Sequence, residues 1–113
     1  LNRYVNRLGI AAAKKMFLTA EPVEAPELLR VGYLDEVVEP DSLMTRVEAL
    51  ATSIEANAPL AVAATKRALN QVAAGKLDMA ELRDARKLCA ASADHKEGLK
   101  AWAEKRKPVF RGE

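Results

Sequence analysis

Apolar side chains recur along this chain at helical rather than alternating spacing. The clearest stripe is Leu43, Val47, Leu50 and Ile54, at intervals of four, three and four, which is one face of an amphipathic helix. Asp41 or Ser42 stands where its cap is expected. A second helix is predicted from Pro59, a residue tolerated in a first turn, with Val62, Leu69 and Val72 facing inward to about Ala74 and Gly75 as its stop. Asp78 then caps a third, with Glu81 at the capping-box position and Leu82, Ala85, Leu88 and Cys89 on its buried side.

Closer to the amino terminus, Leu8, Ala11, Ala12, Lys15 and Met16 predict a helix over residues 7–17. Gly9 within it costs about 1 kcal/mol relative to Ala, so it marks either a close backbone approach or a fraying first turn. Residues 19–22 break the pattern. Pro26 begins a short helix that Gly32 ends, and Tyr33–Val38 alternates weakly, as a short extended segment does, until Pro40 closes it. The closing run from Ser92 has Asp94 as a cap, Glu97 as the capping-box carboxylate, and Leu99, Trp102 and Ala103 on one face. Pro108 prevents that helix from continuing.

Composition agrees with a mainly α fold. Half of the residues are apolar but alanine supplies much of that share, aromatics are only 4%, and β-branched residues are few, which favours close-packed helices over a sheet. Eighteen basic against sixteen acidic residues leave a net charge of +2, a mixed surface rather than a nucleic-acid-binding field, so no nucleic acid is expected as a partner. The single cysteine, Cys89, excludes an intrachain disulfide and reads as buried filler. Without a signal-peptide profile or a long apolar run, a reducing cytoplasmic setting away from membrane is expected. The start at Leu1, within a basic polar run, reads as a piece of something longer, with tag removal or processing as the other explanation.

Catalytic constellations are scarce. His95 has no second His or Cys at metal-ligand spacing, so neither a metal nor an acid–base role is assigned to it. Glu21 with Glu24, and Asp35 with Glu36, read as solvated loop carboxylates, and no Gly-rich phosphate loop, nucleophile elbow or zinc motif occurs. Thus no catalytic residue and no metal site are assigned. The cluster Lys100, Lys105, Arg106 and Lys107 has two readings. It is a solvated face offsetting the partial negative charge at a helix C-terminus, or a phosphate contact beside the flat apolar surface of Trp102 or Phe110. Charge alone does not choose.

The punctuation carries a resemblance. Arg7-x-Gly9, Lys15-Met16-Phe17-Leu18-Thr19, Ala25 with Gly32, Val37-Val38, Asn57-Ala58-Pro59-Leu60-Ala61 with Lys66, and Asp94-x-x-Glu97-Gly98-x-x-Ala101-Trp102-x-Glu104-Lys105-Arg106-x-Pro108-x-Phe110 follow in an order that resembles the C-terminal part of the enoyl-CoA hydratase/isomerase, or crotonase, family. The resemblance implies the helical end of a crotonase-like ββα spiral, without the spiral core that carries the oxyanion donors and catalytic carboxylates. It implies residues 1–40 as the edge of that core and 41–113 as a helical trimerisation module. A coenzyme A thioester is then the substrate rather than a bound cofactor, and the assembly a homotrimer or a hexamer built as a dimer of trimers. By the same resemblance, Lys105 contacts the phosphorylated ribose of CoA held by a neighbouring subunit and Trp102, where relatives usually have Phe, lines the same area. Helix 7–17 and the Leu18-Thr19 turn would lie near the acyl pocket.

Three departures from the family pattern touch the substrate class: Ala20 where Leu-Thr-Gly is common, Pro26-Glu27-Leu28 in place of the usual run after Ala25, and Gly32-Tyr33-Leu34 for Gly-Leu-Val. The first is expected to reshape a turn that used positive φ. The alternative to an enzyme portion is a stand-alone helical interaction module that binds partner helices through its alanine-rich faces.

Overall fold

Six α-helices and one 3-10 turn, with no strand, make up the computed structural model, which describes residues 1–113. The helices are α1 Asn2–Thr19, α2 Ala25–Arg30, α3 Leu43–Glu55, α4 Pro59–Ala73, α5 Met79–Ala91 and α6 Ala93–Ala103, and the 3-10 turn Pro40–Ser42 leads into α3. No helix is long and apolar enough to cross a membrane. The chain divides into two units, Leu1–Met44 and Thr45–Glu113.

In the first unit, α1 starts five residues before the periodicity predicts and is broken at Gly9, whose φ of 73° and ψ of 161° belong to a region that is essentially glycine's alone. A Cβ placed there would meet nothing within 4 Å, so Gly9 answers a backbone need rather than a close approach or a fraying turn. Tyr4, before the break, packs edge-on against Phe17 at 5.0 Å and stacks on Tyr33 at 5.5 Å, while the Arg7 guanidinium donates to the Tyr33 carbonyl at 2.8 Å. Ala13 is the one buried apolar residue of this unit, at 3% exposure.

The turn after α1 keeps its left-handed shape despite the missing glycine, since Ala20 itself adopts φ 52° and ψ 22°. Helix α2 ends in a Schellman arrangement: Gly32 N–H donates to Leu29 O and Tyr33 N–H to Leu28 O, with Gly32 at φ 78°. Tyr33–Val38 forms no strand, because an extended segment becomes one only by exchanging hydrogen bonds with a neighbour. Neither Asp41 nor Ser42 caps α3 through its side chain; Pro40 leads a 3-10 turn in which Ser42 N–H donates to Glu39 O at 2.9 Å.

The second unit is built on an α4–α5 hairpin. Gly75, at φ 65°, ends α4 in the same Schellman pattern, with Gly75 N–H on Val72 O and Lys76 N–H on Gln71 O. Asp78 caps α5 as expected, one carboxylate oxygen accepting from Ala80 and Glu81 N–H at 2.8 and 3.0 Å. Glu81 does not reach back to close a capping box. Its carboxylate instead accepts from Arg67 at 2.8 Å and Gln71 at 2.6 Å, and those two bonds, Arg67 first, hold it below the usual carboxylate range.

The predicted inward faces are where the structure departs furthest from expectation. Leu43, Val47, Leu50 and Ile54 of α3, Leu69 and Val72 of α4 and Leu88 of α5 are all exposed, and Cys89 is half-buried rather than buried. Periodicity reports which side of a helix is apolar, whereas burial requires a facing element, and within the chain only α4 with α5 and α5 with α6 make extensive helix pairings.

Candidate functional site

Helix α6 and the residues after it form the most densely bonded part of the chain. The cap is Ser92, not Asp94: Ser92 Oγ accepts from His95 N–H at 3.0 Å and donates to Cys89 O at 2.7 Å, fastening the α5–α6 junction. That frees the Asp94 carboxylate, 3% exposed, to accept from the N–H groups of Arg111 at 2.7 Å and Gly112 at 2.8 Å, while Asp94 N–H donates to Glu113 O at 3.1 Å. The terminal residues are thereby tied to the first turn of the helix.

Glu97 closes the middle of the loop. Its carboxylate takes two bonds from the Arg106 guanidinium, at 2.6 and 3.0 Å, and a third from Val109 N–H at 3.0 Å. Arg106, and then the backbone donor, lower Glu97 from the ordinary 4.5 to about 2. Arg106 is raised in turn by Glu97 and by Glu104, which accepts from Nε at 2.7 Å. With a further bond to Lys107 O, four of the five guanidinium N–H groups are engaged. Of the two readings left open for the cationic cluster, Arg106 fits neither, since its guanidinium is bonded within the chain, and Glu97 is its partner rather than a capping-box residue.

The chain reverses at Lys105. Arg106 N–H donates to Ala101 O at 3.0 Å and Lys105 N–H to Trp102 O at 3.2 Å, the pattern that also ends α2 and α4. Those helices have glycine at the residue of positive φ, whereas here it is Lys105, at φ 54°. Below the reversal Ala101 is 1% exposed, and the Phe110 ring lies against Gly98, where a Cβ would stand 3.6 Å from it. Trp102, by contrast, is 83% exposed. An indole bared beside a lysine in a strained conformation, with Lys100 and Lys107 exposed nearby in sequence and free of ion pairs, can present a flat apolar surface and localised positive charge to an anionic ring compound.

Elsewhere, the first unit holds a cavity of about 230 Å³ bounded by Leu8, Ala12, Met16, Val23, Leu28 and Val31, with Lys15 and Glu24 also on its walls. His95 is exposed, and no three His, Cys, Asp or Glu side chains are grouped to hold a metal ion. Local sequence rules missed the Glu97–Arg106 and Asp94–tail bonds, because their partners stand nine to eighteen residues apart. The one local signal available was Ser92 three residues ahead of His95, a helix cap two residues earlier than the acidic run suggested.

Comparison with known proteins places this geometry among relatives. The family profile described as enoyl-CoA hydratase/isomerase matches residues 1–113. A short-chain-enoyl-CoA hydratase of Clostridium acetobutylicum is 35% identical over 102 residues, covering 88% of this chain and 39% of the relative. An (E)-benzylidenesuccinyl-CoA hydratase of Thauera aromatica is 39% identical over 111 residues, covering 90% of this chain and 41% of the relative. The crystal structure of an enoyl-CoA hydratase from Bacillus anthracis superposes with a TM-score of 0.87 at 28% identity, covering 98% of this chain and 44% of that one. The chain thus spans about two-fifths of the length of these relatives and has the helical part of their crotonase fold.

Proposed function

The chain belongs to the enoyl-CoA hydratase/isomerase family, and from that premise we propose that it is the C-terminal part of a cytoplasmic CoA-thioester hydratase or isomerase. The whole protein would add water across, or shift, a double bond conjugated to a thioester carbonyl, through an enolate held by backbone donors outside these residues. No residue of this chain is assigned to that chemistry. Its own contribution is assembly, closure of the acyl pocket and a cation for the CoA phosphate.

The observation that carries the reading is the pairing of Lys105, at φ 54°, with Trp102, 83% exposed, on a scaffold whose own arginine is already neutralised. Lys105 supplies the ammonium for the phosphorylated ribose and Trp102 the wall beside it. The exposed stripe of α3 supports residues 41–113 as an assembly module of a homotrimer or dimer of trimers, since an apolar helix face left in water favours a partner. The cavity behind Leu8 and Leu28 supports residues 1–40 as part of the acyl pocket's surround. Titration calorimetry tests the phosphate contact: Lys105→Ala weakens binding of CoA about tenfold and leaves that of 3′-dephospho-CoA unchanged, as expected for one charge-assisted bond. Equal losses for both compounds would refute it.

The same stripe is what favours a stand-alone interaction module. A 113-residue chain that is by itself a monodisperse, cooperatively melting monomer without affinity for CoA would support that reading instead.

A further inference from the structure

We infer that Glu97 and Arg106 are positioning residues for Lys105: their paired bonds fold the chain back along α6 and hold Lys105 in the left-handed conformation from which it meets an anion. The inference rests on Lys105 being the phosphate contact. Left-handed backbone is disfavoured for any residue with a Cβ, so φ 54° at Lys105, like φ 52° at Ala20, carries a cost that the surroundings must offset. The surroundings are specific. Arg106, the next residue, is tied by two bonds to Glu97, nine residues back, and by one to Glu104, while Glu97 also takes Val109 N–H.

These bonds fix the chain on the far side of Lys105 against the helix on its near side, and they reinforce the backbone bonds of Lys105 and Arg106 N–H to Trp102 and Ala101 O that place the reversal at Lys105. A lysine replacing Arg106 keeps the charge but is a point donor that cannot span both Glu97 oxygens and Glu104. The pair also accounts for Arg106 being held near the anion site without serving it: with four of its five N–H groups engaged, it has little left for a ligand.

The test uses the whole protein and two probes, CoA and 3′-dephospho-CoA, with the ratio of their affinities as the readout. Lys105→Ala abolishes the preference for CoA. Arg106→Lys and Glu97→Gln each reduce that preference severalfold while leaving 3′-dephospho-CoA binding intact, which also shows that the variant is folded. Combined with Lys105→Ala, neither causes further loss, because a positioning residue has no effect once the group it positions is gone. If Lys105→Ala alone leaves the ratio unchanged, the phosphate contact itself is wrong. If Lys105→Ala lowers the ratio but both positioning variants keep it, or if Arg106→Lys lowers it further in the Lys105→Ala background, Lys105 stands and the positioning role is overturned.

Discussion

Replacing Lys105 by glycine and by alanine separates the conformational cost of this residue from its chemistry. Both changes delete the ammonium, and they differ only in whether a Cβ must sit at φ 54°. The left-handed region costs an L-residue roughly 1–2 kcal/mol, and glycine forfeits about 0.4–1 kcal/mol of that gain through the greater freedom of its unfolded chain. The glycine variant is therefore expected to be about 0.5–1 kcal/mol more stable than the alanine variant. In urea, at a slope near 2 kcal/mol per molar, that is roughly 0.3–0.5 M in midpoint. The sign is diagnostic, because in a regular helix glycine is about 0.5–1 kcal/mol worse than alanine. Gly75→Ala supplies the matching control: it stands at the same position of α4, φ 65°, with nothing within 4 Å of an added Cβ, and should lose what Lys105→Gly gains. An alanine variant at 105 equal to or more stable than the glycine variant would refute the left-handed assignment. Lys105→Gly is also expected to lose CoA affinity as Lys105→Ala does, so stability and binding move in opposite directions at one residue.

Asp94→Ala strands the N–H groups of Arg111 and Gly112 and should cost about 2–4 kcal/mol, with faster amide exchange confined first to residues 109–113. Gly9→Ala should cost about 1–3 kcal/mol of stability, read from the shift in denaturation midpoint, through backbone conformation alone, since its Cβ finds open space. Glu97 is depressed from 4.5 to about 2 in the folded chain, so its contribution is fully present above pH 4.5 and lost as pH falls toward about 2; Glu97→Gln should flatten that stretch of the stability–pH curve. Leu50→Asp, on an exposed face, should leave the helicity of the 113-residue chain unchanged by circular dichroism but reduce the size of the proposed oligomer in sedimentation.

The elements that could be read from sequence are those whose determinants lie within a few residues. Pro26 and Gly32 bracket α2, Pro59 and Gly75 bracket α4, and Asp78 caps α5, each through a backbone preference or a bond two or three residues away. At α6 the same rules failed because two good caps stood in one run. Ser92 took the role, and Asp94 and Glu97 were claimed by the returning tail, a competition that depends on where the tail goes. Lys105 was legible as a cation but not as the turning point, because local preference puts glycine there. The α3 stripe was legible as apolar and illegible as buried, since periodicity contains no information about the partner face.

The two buried apolar residues of the chain are both alanines, Ala13 and Ala101. Truncation to alanine, the usual way of mapping an interior, is therefore blind to the apolar positions that are most enclosed here, and among buried residues would register only Asp94. Enlargement is the informative direction: a valine or leucine at either site adds volume at a position only 1–3% exposed, where overpacking is expected to cost about 1–3 kcal/mol. In this molecule the smallest side chains set the tightest tolerances.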